Sequence, residues 1–170
     1  ENYTAALADL DQALSLDPDN SFAYFNRALI RFNQNDLTGA LQGLERVLEE
    51  DPGNALTLYN RALIRTQIGD YNNALSDYDR VISINPNNVL AYYNRGALFI
   101  QMERYSDALR DYDKAIELYP DFANAYMNRS YVKNRMGLFA AAEVDYKTAQ
   151  GKVNEYKSQL GDTTYSAFAD

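Results

Sequence analysis

Apolar residues recur along this chain at helical spacings, in paired runs separated by short polar turns. Between Val89 and Phe122, apolar side chains recur three or four positions apart until Glu103 and Arg104 interrupt the pattern, and a second run then ends at Pro120. Residues three or four apart share one face of an α-helix, and proline ends a helix because it lacks the backbone N–H. The segment therefore predicts two amphipathic helices joined by a turn, an antiparallel hairpin.

The same pattern repeats every 34 residues. The chain contains four prolines, and they keep this step: Pro18, Pro52, Pro86 and Pro120. Two further series share it, an alanine series (Ala6, Ala40, Ala74, Ala108 and Ala142) and an asparagine followed by arginine (Asn26, Asn60, Asn94 and Asn128). A fixed period of this length is typical of stacked repeats that bury their apolar faces against their neighbours. The sequence therefore predicts an all-α chain built from helix hairpins.

The period divides the chain into repeats and two terminal segments. Residues 1–20 match only the second helix of a repeat, so we expect the chain to be a fragment of a longer array. Repeats follow at residues 21–54, 55–88, 89–122 and 123–160, and the last of them lacks the proline. Its second helix is expected to run on as a longer, more polar cap. Residues 161–170 are predicted to form a flexible tail.

The repeated unit resembles the tetratricopeptide repeat family. The resemblance covers about residues 1 to 150 and is carried by the prolines, by a large residue early in each first helix (Tyr24, Leu58, Tyr92 and Tyr126) and by a small residue four positions later (Ala28, Ala62, Gly96 and Ser130). It implies a right-handed superhelical solenoid in which the first helix of each hairpin lines a concave surface. It also implies that this surface binds a protein partner.

The groove positions of that family, carried over to this sequence, are apolar, aromatic and amide side chains. The resulting partner groove comprises Phe22, Phe25, Asn26, Leu29, Tyr59, Asn60, Leu63, Tyr93, Asn94, Met127, Asn128 and Tyr131. A carboxamide both donates and accepts hydrogen bonds, so the asparagine row can pair with the backbone of an extended peptide. The same asparagines can instead brace contacts between helices, and the sequence leaves both roles open.

The arginine after each asparagine has a matching acidic series on the second helices. Aspartate recurs with the same period, and Gly43 replaces it once: Asp9, Asp77, Asp111 and Asp145. We therefore expect arginine–aspartate pairs within hairpins and one arginine that lacks this partner. The alternative, an arginine row that binds an acidic ligand, is disfavoured because the aspartates recur in step.

Composition argues against several classes of function. Cysteine and histidine are absent, so thiolate nucleophiles, zinc–thiolate sites and the commonest general base are missing. Acidic pairs such as Asp77 and Asp79 lie two apart on a helix and point in different directions. We therefore expect no enzyme activity, no cofactor and no metal site. A net charge of -8 opposes binding to nucleic acid or to anionic membranes, and no apolar run approaches the ~20 residues of a membrane span.

These features predict a protein–protein interaction module that holds a peptide or helix of a partner in its groove. Some tetratricopeptide repeats clamp chaperone tails with lysine and arginine, but those positions here hold Phe25, Leu29, Leu90 and Asn94, so chaperone-tail binding is not expected. The alternative is a structural spacer or a self-association segment of a larger protein. Weak self-association would involve Tyr165 and Phe168 of the tail.

Overall fold

The computed structural model describes the backbone of residues 2–169 and the side chains of residues 2–160. Nine α-helices lie in this part of the chain: α1 Tyr3–Leu16, α2 Ser21–Asn33, α3 Leu37–Glu50, α4 Ala55–Gln67, α5 Tyr71–Ile84, α6 Val89–Gln101, α7 Tyr105–Leu118, α8 Ala123–Arg135 and α9 Phe139–Ala169. Sequential helices pack as hairpins, α2 with α3, α4 with α5, α6 with α7 and α8 with α9. The predicted all-α fold of helix hairpins is confirmed.

The chain forms two compact units, residues 1–86 and 87–170. In the first unit, α1 packs on α2 and α3 packs on α4, so each second helix also contacts the first helix of the following hairpin. In the second unit, α7 packs on α8 in the same way, and α6 also touches α8. Each unit therefore repeats one packing arrangement, as the 34-residue period requires.

Asparagine side chains start the first helices of three repeats. The Oδ1 atoms of Asn20, Asn54 and Asn88 accept a hydrogen bond from the backbone N–H three residues later, at 3.0–3.1 Å. An N-cap of this kind satisfies one of the four N–H groups that the first turn leaves unpaired. In the last repeat Phe122 holds this position and makes no such bond.

The turn inside each hairpin places one residue in the left-handed backbone region. These residues are again 34 positions apart, with φ of 62° at Asn35, 81° at Gly69, 57° at Glu103 and 79° at Gly137. Glycine adopts this conformation without steric cost and asparagine tolerates it. In other residues the Cβ lies too close to the following carbonyl oxygen, which strains the backbone. Glu103 is therefore the strained member of the series.

Replacing Glu103 by glycine is expected to raise the free energy of unfolding by about 1 kcal/mol, because relief of the left-handed strain exceeds the entropy that glycine adds to the unfolded chain. Urea denaturation monitored by circular dichroism measures the change. Gly69→Ala, the reverse change at the same repeat position, should lose a similar amount. A stability gain in both variants, or in neither, would contradict this account.

Close approach of the paired helices depends on small residues. Ala40, Ala74, Ala108 and Ala142 are completely buried at the crossing points of their hairpins, where helix axes approach only if side chains are short. Gly43 marks a close approach of α2 and α3, because a Cβ added there would lie 2.9 Å from the Cβ of Ala28. Larger side chains, among them Leu44 and Tyr112, fill the space between successive hairpins.

Helix α9 runs from the last repeat to Ala169 and so includes residues 161–169, for which the sequence predicts a flexible tail. The side chains of these residues lie outside the described part of the chain, and so does the predicted docking of Tyr165 and Phe168. Earlier in the helix, Phe139, Val144 and Tyr156 are exposed, together with Lys147 and Lys157. The outer surface of this cap is therefore more apolar than its charged residues suggest.

Candidate partner groove

The predicted groove residues lie on the first helices of the hairpins, and each unit carries its own set. Groove 1, on α2 and α4 of the first unit, comprises Phe22, Phe25, Asn26, Leu29, Tyr59, Asn60 and Leu63. Groove 2, on α6 and α8 of the second unit, comprises Tyr93, Asn94, Met127, Asn128 and Tyr131.

Both grooves expose apolar side chains. Phe22 is 77% exposed, and Leu56, which holds the same repeat position on α4, is 60% exposed. On α8, Met127 and Tyr131 are 38% and 49% exposed. Repeated exposure of large apolar groups on one kind of helix marks a surface on which a partner can bury apolar area.

The groove asparagines all donate a hydrogen bond from Nδ2 within the protein. Three of them bond the carbonyl four residues earlier in their own helix, Asn26 to Phe22, Asn60 to Leu56 and Asn94 to Leu90, at 2.8–2.9 Å. Asn128 instead donates to the hydroxyl of Tyr112 on α7 at 3.2 Å. Each of these bonds uses one of the two donors of the carboxamide and fixes its orientation. Asn128 thus braces two helices, while pairing of the other three asparagines with the backbone of an extended peptide stays a prediction.

Two of the groove tyrosines, Tyr59 and Tyr93, also pack against aromatic rings outside the grooves. Tyr59 meets the ring of Tyr78 edge-on at 6.2 Å, and Tyr93 meets Tyr112 in the same way at 5.9 Å. Tyr93 also lies 4.6 Å from the ring of Phe122. Burial raises the pKa of Tyr78 and of Tyr112 far above its ordinary value, so both phenols stay neutral at physiological pH.

The expected arginine–aspartate pairs join the two helices of three hairpins. Each is bidentate, with two N–O distances of 2.8–2.9 Å, and they are Arg61 with Asp77, Arg95 with Asp111, and Arg129 with Asp145. All three aspartates are buried. The guanidinium groups are therefore directed at carboxylates inside the hairpins, which supports the structural role predicted for them.

Arg27 is the member of the series that faces Gly43 instead of an aspartate. Its Nη1 bonds Asp11 of the preceding helix at 3.0 Å, so the arginine does have a partner, although not the one within its hairpin. Its Nε is buried without a hydrogen-bond partner. The prediction that one arginine lacks an aspartate partner within its hairpin is confirmed. The charge of Arg27 is instead paired with Asp11, whose carboxylate is more exposed than those of the three buried pairs.

Asp145 of the last hairpin is paired with two cations. Burial raises the pKa of this carboxyl, but hydrogen bonds and charge from Arg129 and Lys133 outweigh it, so the net pKa lies below the ordinary value of 3.8. Lys133 Nζ lies 2.8 Å from the second carboxylate oxygen. A carboxylate with this environment remains charged at neutral pH and keeps both cations occupied.

A pocket of about 330 Å³ opens in groove 1. It lies where α2, the end of α3 and the start of α4 meet, and its lining residues are Ser21, Phe22, Phe25, Val47, Asn54 and Leu56. Sequence reasoning assigned Phe22 and Phe25 to the groove but missed Val47 and Asn54. Helical periodicity shows which side chains share a face of one helix. This pocket depends instead on how the end of α3 packs beside the start of α4, which periodicity does not show.

Another pocket, of about 250 Å³, lies in the second unit away from the predicted groove residues. It is lined by Tyr119, Asp121, Ala123, Lys152, Val153, Glu155, Tyr156 and Gln159. Lys152 bonds Asp121 at 2.9 Å across it.

Among the residues with described side chains, no three acidic, histidine or cysteine groups are placed to hold a metal ion. No helix in the described part of the chain has the length and apolar character needed to cross a membrane.

Comparison with protein families identifies the repeats. Models of the tetratricopeptide repeat match residues 1–55 and 89–122, and a model described as TPR repeat matches residues 62–102. The chain is therefore a tetratricopeptide repeat protein. A comparison with curated protein sequences found no match.

Several solved structures share the fold. The crystal structure of MamA superimposes with a TM-score of 0.87 at 22% identity, covering 92% of each chain. MamA from Desulfovibrio magneticus RS-1 gives a TM-score of 0.86 at 17% identity, with 91% of this chain and 88% of that one covered. A tetratricopeptide repeat protein from Parabacteroides merdae gives 0.82 at 26% identity, with 90% of this chain and 61% of that one covered. These similarities are similarities of fold.

Proposed function

We propose that this chain is a protein-interaction module that binds a peptide or helix of a partner protein along its first helices. The observation that carries the proposal is the set of exposed apolar side chains on these helices, Phe22, Leu56, Met127 and Tyr131. The repeats belong to a family whose members generally bind proteins, and the buried pairing of the arginines favours an apolar and amide surface over an acidic ligand.

The two kinds of groove residue contribute differently to binding. Each net hydrogen bond from an asparagine contributes only about 0.5–1.5 kcal/mol, so the amides set the register of the partner more than its affinity. Burial of the exposed aromatic and aliphatic groups supplies most of the energy. Because Asn26 and Asn60 are already oriented by bonds to their own helix, less side-chain entropy is lost when a partner binds.

Selection of a random peptide library on the folded chain tests the proposal. We expect enrichment of a shared motif, and the affinity of the selected peptide should fall about tenfold in Asn26→Ala/Asn60→Ala, which removes up to two hydrogen bonds. Asn72→Ala, on the second helix α5 and outside the groove, is the matched control and should bind normally. Circular dichroism verifies that each variant is folded.

Two outcomes would count against the proposal. If the folded chain enriches no peptide, the spacer function is favoured. If peptides are enriched but Phe22→Ala and Tyr131→Ala leave their binding unchanged, the partner surface lies elsewhere on the repeats.

A further inference from the structure

We infer that the pocket in groove 1 receives a large apolar side chain of the partner that has lysine or arginine beside it. This inference rests on the proposed function and names the chemistry of the partner at one position. We call the site the anchor pocket, lined by Ser21, Phe22, Phe25, Val47, Asn54 and Leu56.

The size of the anchor pocket suits a side chain more than a cofactor. Its volume of about 330 Å³ is at the lower end of the range for small-molecule sites, roughly 300–1,000 Å³. Val47 is 3% exposed and lines the pocket from the core side, whereas Phe22 and Leu56 stand exposed at its opening. An apolar side chain that enters the pocket would bury its own surface together with these two exposed groups.

Two polar residues of the lining hold carboxylates beside the pocket. The hydroxyl of Ser21 donates to Oε2 of Glu50 at 3.3 Å. The Nδ2 of Asn54 donates to Oδ2 of Asp51, also at 3.3 Å. Glu50 and Asp51 lie at the C-terminal end of α3, where the partial negative charge of the helix adds to theirs.

The balance of charge around the pocket is negative. Arg46 bonds Glu50 but is shared among Asp19, Glu49 and Glu50 at 2.9, 3.5 and 3.1 Å. Three carboxylates thus share one guanidinium, and Asp51 adds a further negative charge at the end of α3. The N-termini of α2 and α4 also lie here, but each contributes only about half a positive charge, and the capping asparagines already accept from them. The surplus therefore attracts a cationic group.

These observations define one occupant, a segment in which a large apolar residue is flanked by lysine or arginine. The apolar side chain fills the pocket, and the flanking cation lies near Glu50 and Asp51. A segment with acidic flanks would meet repulsion at the same place, so charge decides between otherwise similar anchors.

Titration of the 15N-labelled chain with three capped pentapeptides tests this inference. Each peptide has a central residue with two identical residues on each side. The centre and flanks are phenylalanine with lysines, phenylalanine with glutamates, or alanine with lysines. We expect the lysine–phenylalanine peptide to shift the amide signals of Phe22, Phe25 and Leu56, and the other two to bind at least about tenfold more weakly. Added salt should weaken the first interaction, because the carboxylates are exposed.

Matched variants separate the pocket from the rest of the groove. Leu56→Ala should weaken the lysine–phenylalanine peptide about tenfold, and Asp51→Asn should weaken it and reduce its salt dependence. Leu90→Ala removes a similarly exposed leucine (53% against 60% for Leu56) at the same repeat position in the second unit and should have no effect. Both leucines are exposed, so the variants retain the fold, which circular dichroism verifies.

The inference is overturned if no peptide shifts the pocket signals, if the glutamate peptide binds equally well, or if Leu56→Ala has no effect. A library-selected peptide that depends on Asn26 and Asn60 but not on Leu56 would overturn the anchor pocket while leaving the proposed function intact. Failure of the library selection itself would count against the proposed function.

Discussion

Replacing Arg61 by methionine is expected to lower the free energy of unfolding by about 3 kcal/mol, because it leaves a buried carboxylate without its bidentate partner. Asp77 is 3% exposed and accepts two bonds from Arg61. Arg65 remains bonded to it at 2.9 Å, which limits the loss. Urea denaturation of the full chain, with the slope compared between variants, measures the effect.

The chain contains its own control for this experiment. Arg27 occupies the same repeat position, but its hairpin partner is Gly43, its Nε is buried without a hydrogen bond, and its salt bridge is to an exposed aspartate. Arg27→Met should therefore cost less than about 1 kcal/mol, since an exposed ion pair is lost while a buried unsatisfied donor is removed. Equal losses in the two variants would show that the buried aspartate does not determine the role of the arginine.

The other large effect is expected at Gly43, where alanine should destabilise the protein although it is the better helix former. Glycine to alanine inside a helix normally gains about 1 kcal/mol. Here the new Cβ would lie 2.9 Å from the Cβ of Ala28 and 3.2 Å from the carbonyl oxygen of Tyr24. Neither group can rotate away, so α2 and α3 must separate, and we expect a net loss of about 1–2 kcal/mol.

Two further variants identify the cause of that loss. Gly151 lies in α9 with no atom near an added Cβ, so Gly151→Ala should gain up to about 1 kcal/mol from helix propensity alone. The double variant Gly43→Ala/Ala28→Gly exchanges the two small residues across the contact and should recover much of the lost stability. If Gly43→Ala is as stable as the parent and the double variant is less stable, the close approach does not limit this hairpin.

The hairpin fold could be predicted from the sequence because its signals are repeated. One proline would be a weak indication, but Pro18, Pro52, Pro86 and Pro120 at one spacing define a period, and each small residue that keeps this period marks a helix contact. The arginine–aspartate pairs were predictable for the same reason. A repeated arrangement gives each inference several independent tests within one chain.

Details that differ between repeats could not be predicted in this way. The asparagine row looks uniform in sequence, yet Asn128 bonds a tyrosine hydroxyl and the other three bond their own helix. Repeat position determines where a side chain lies, but the neighbouring groups determine which bond it makes.

The packing of helices into hairpins also affects how quickly the chain can reach its native state. Within the described residues, each paired helix lies next to its partner in the sequence, joined by a turn with one left-handed residue. Closing such short loops costs little chain entropy, and low contact order is associated with fast folding. We therefore expect formation of the first hairpin to be the slow step, since each later hairpin assembles against a surface that already exists.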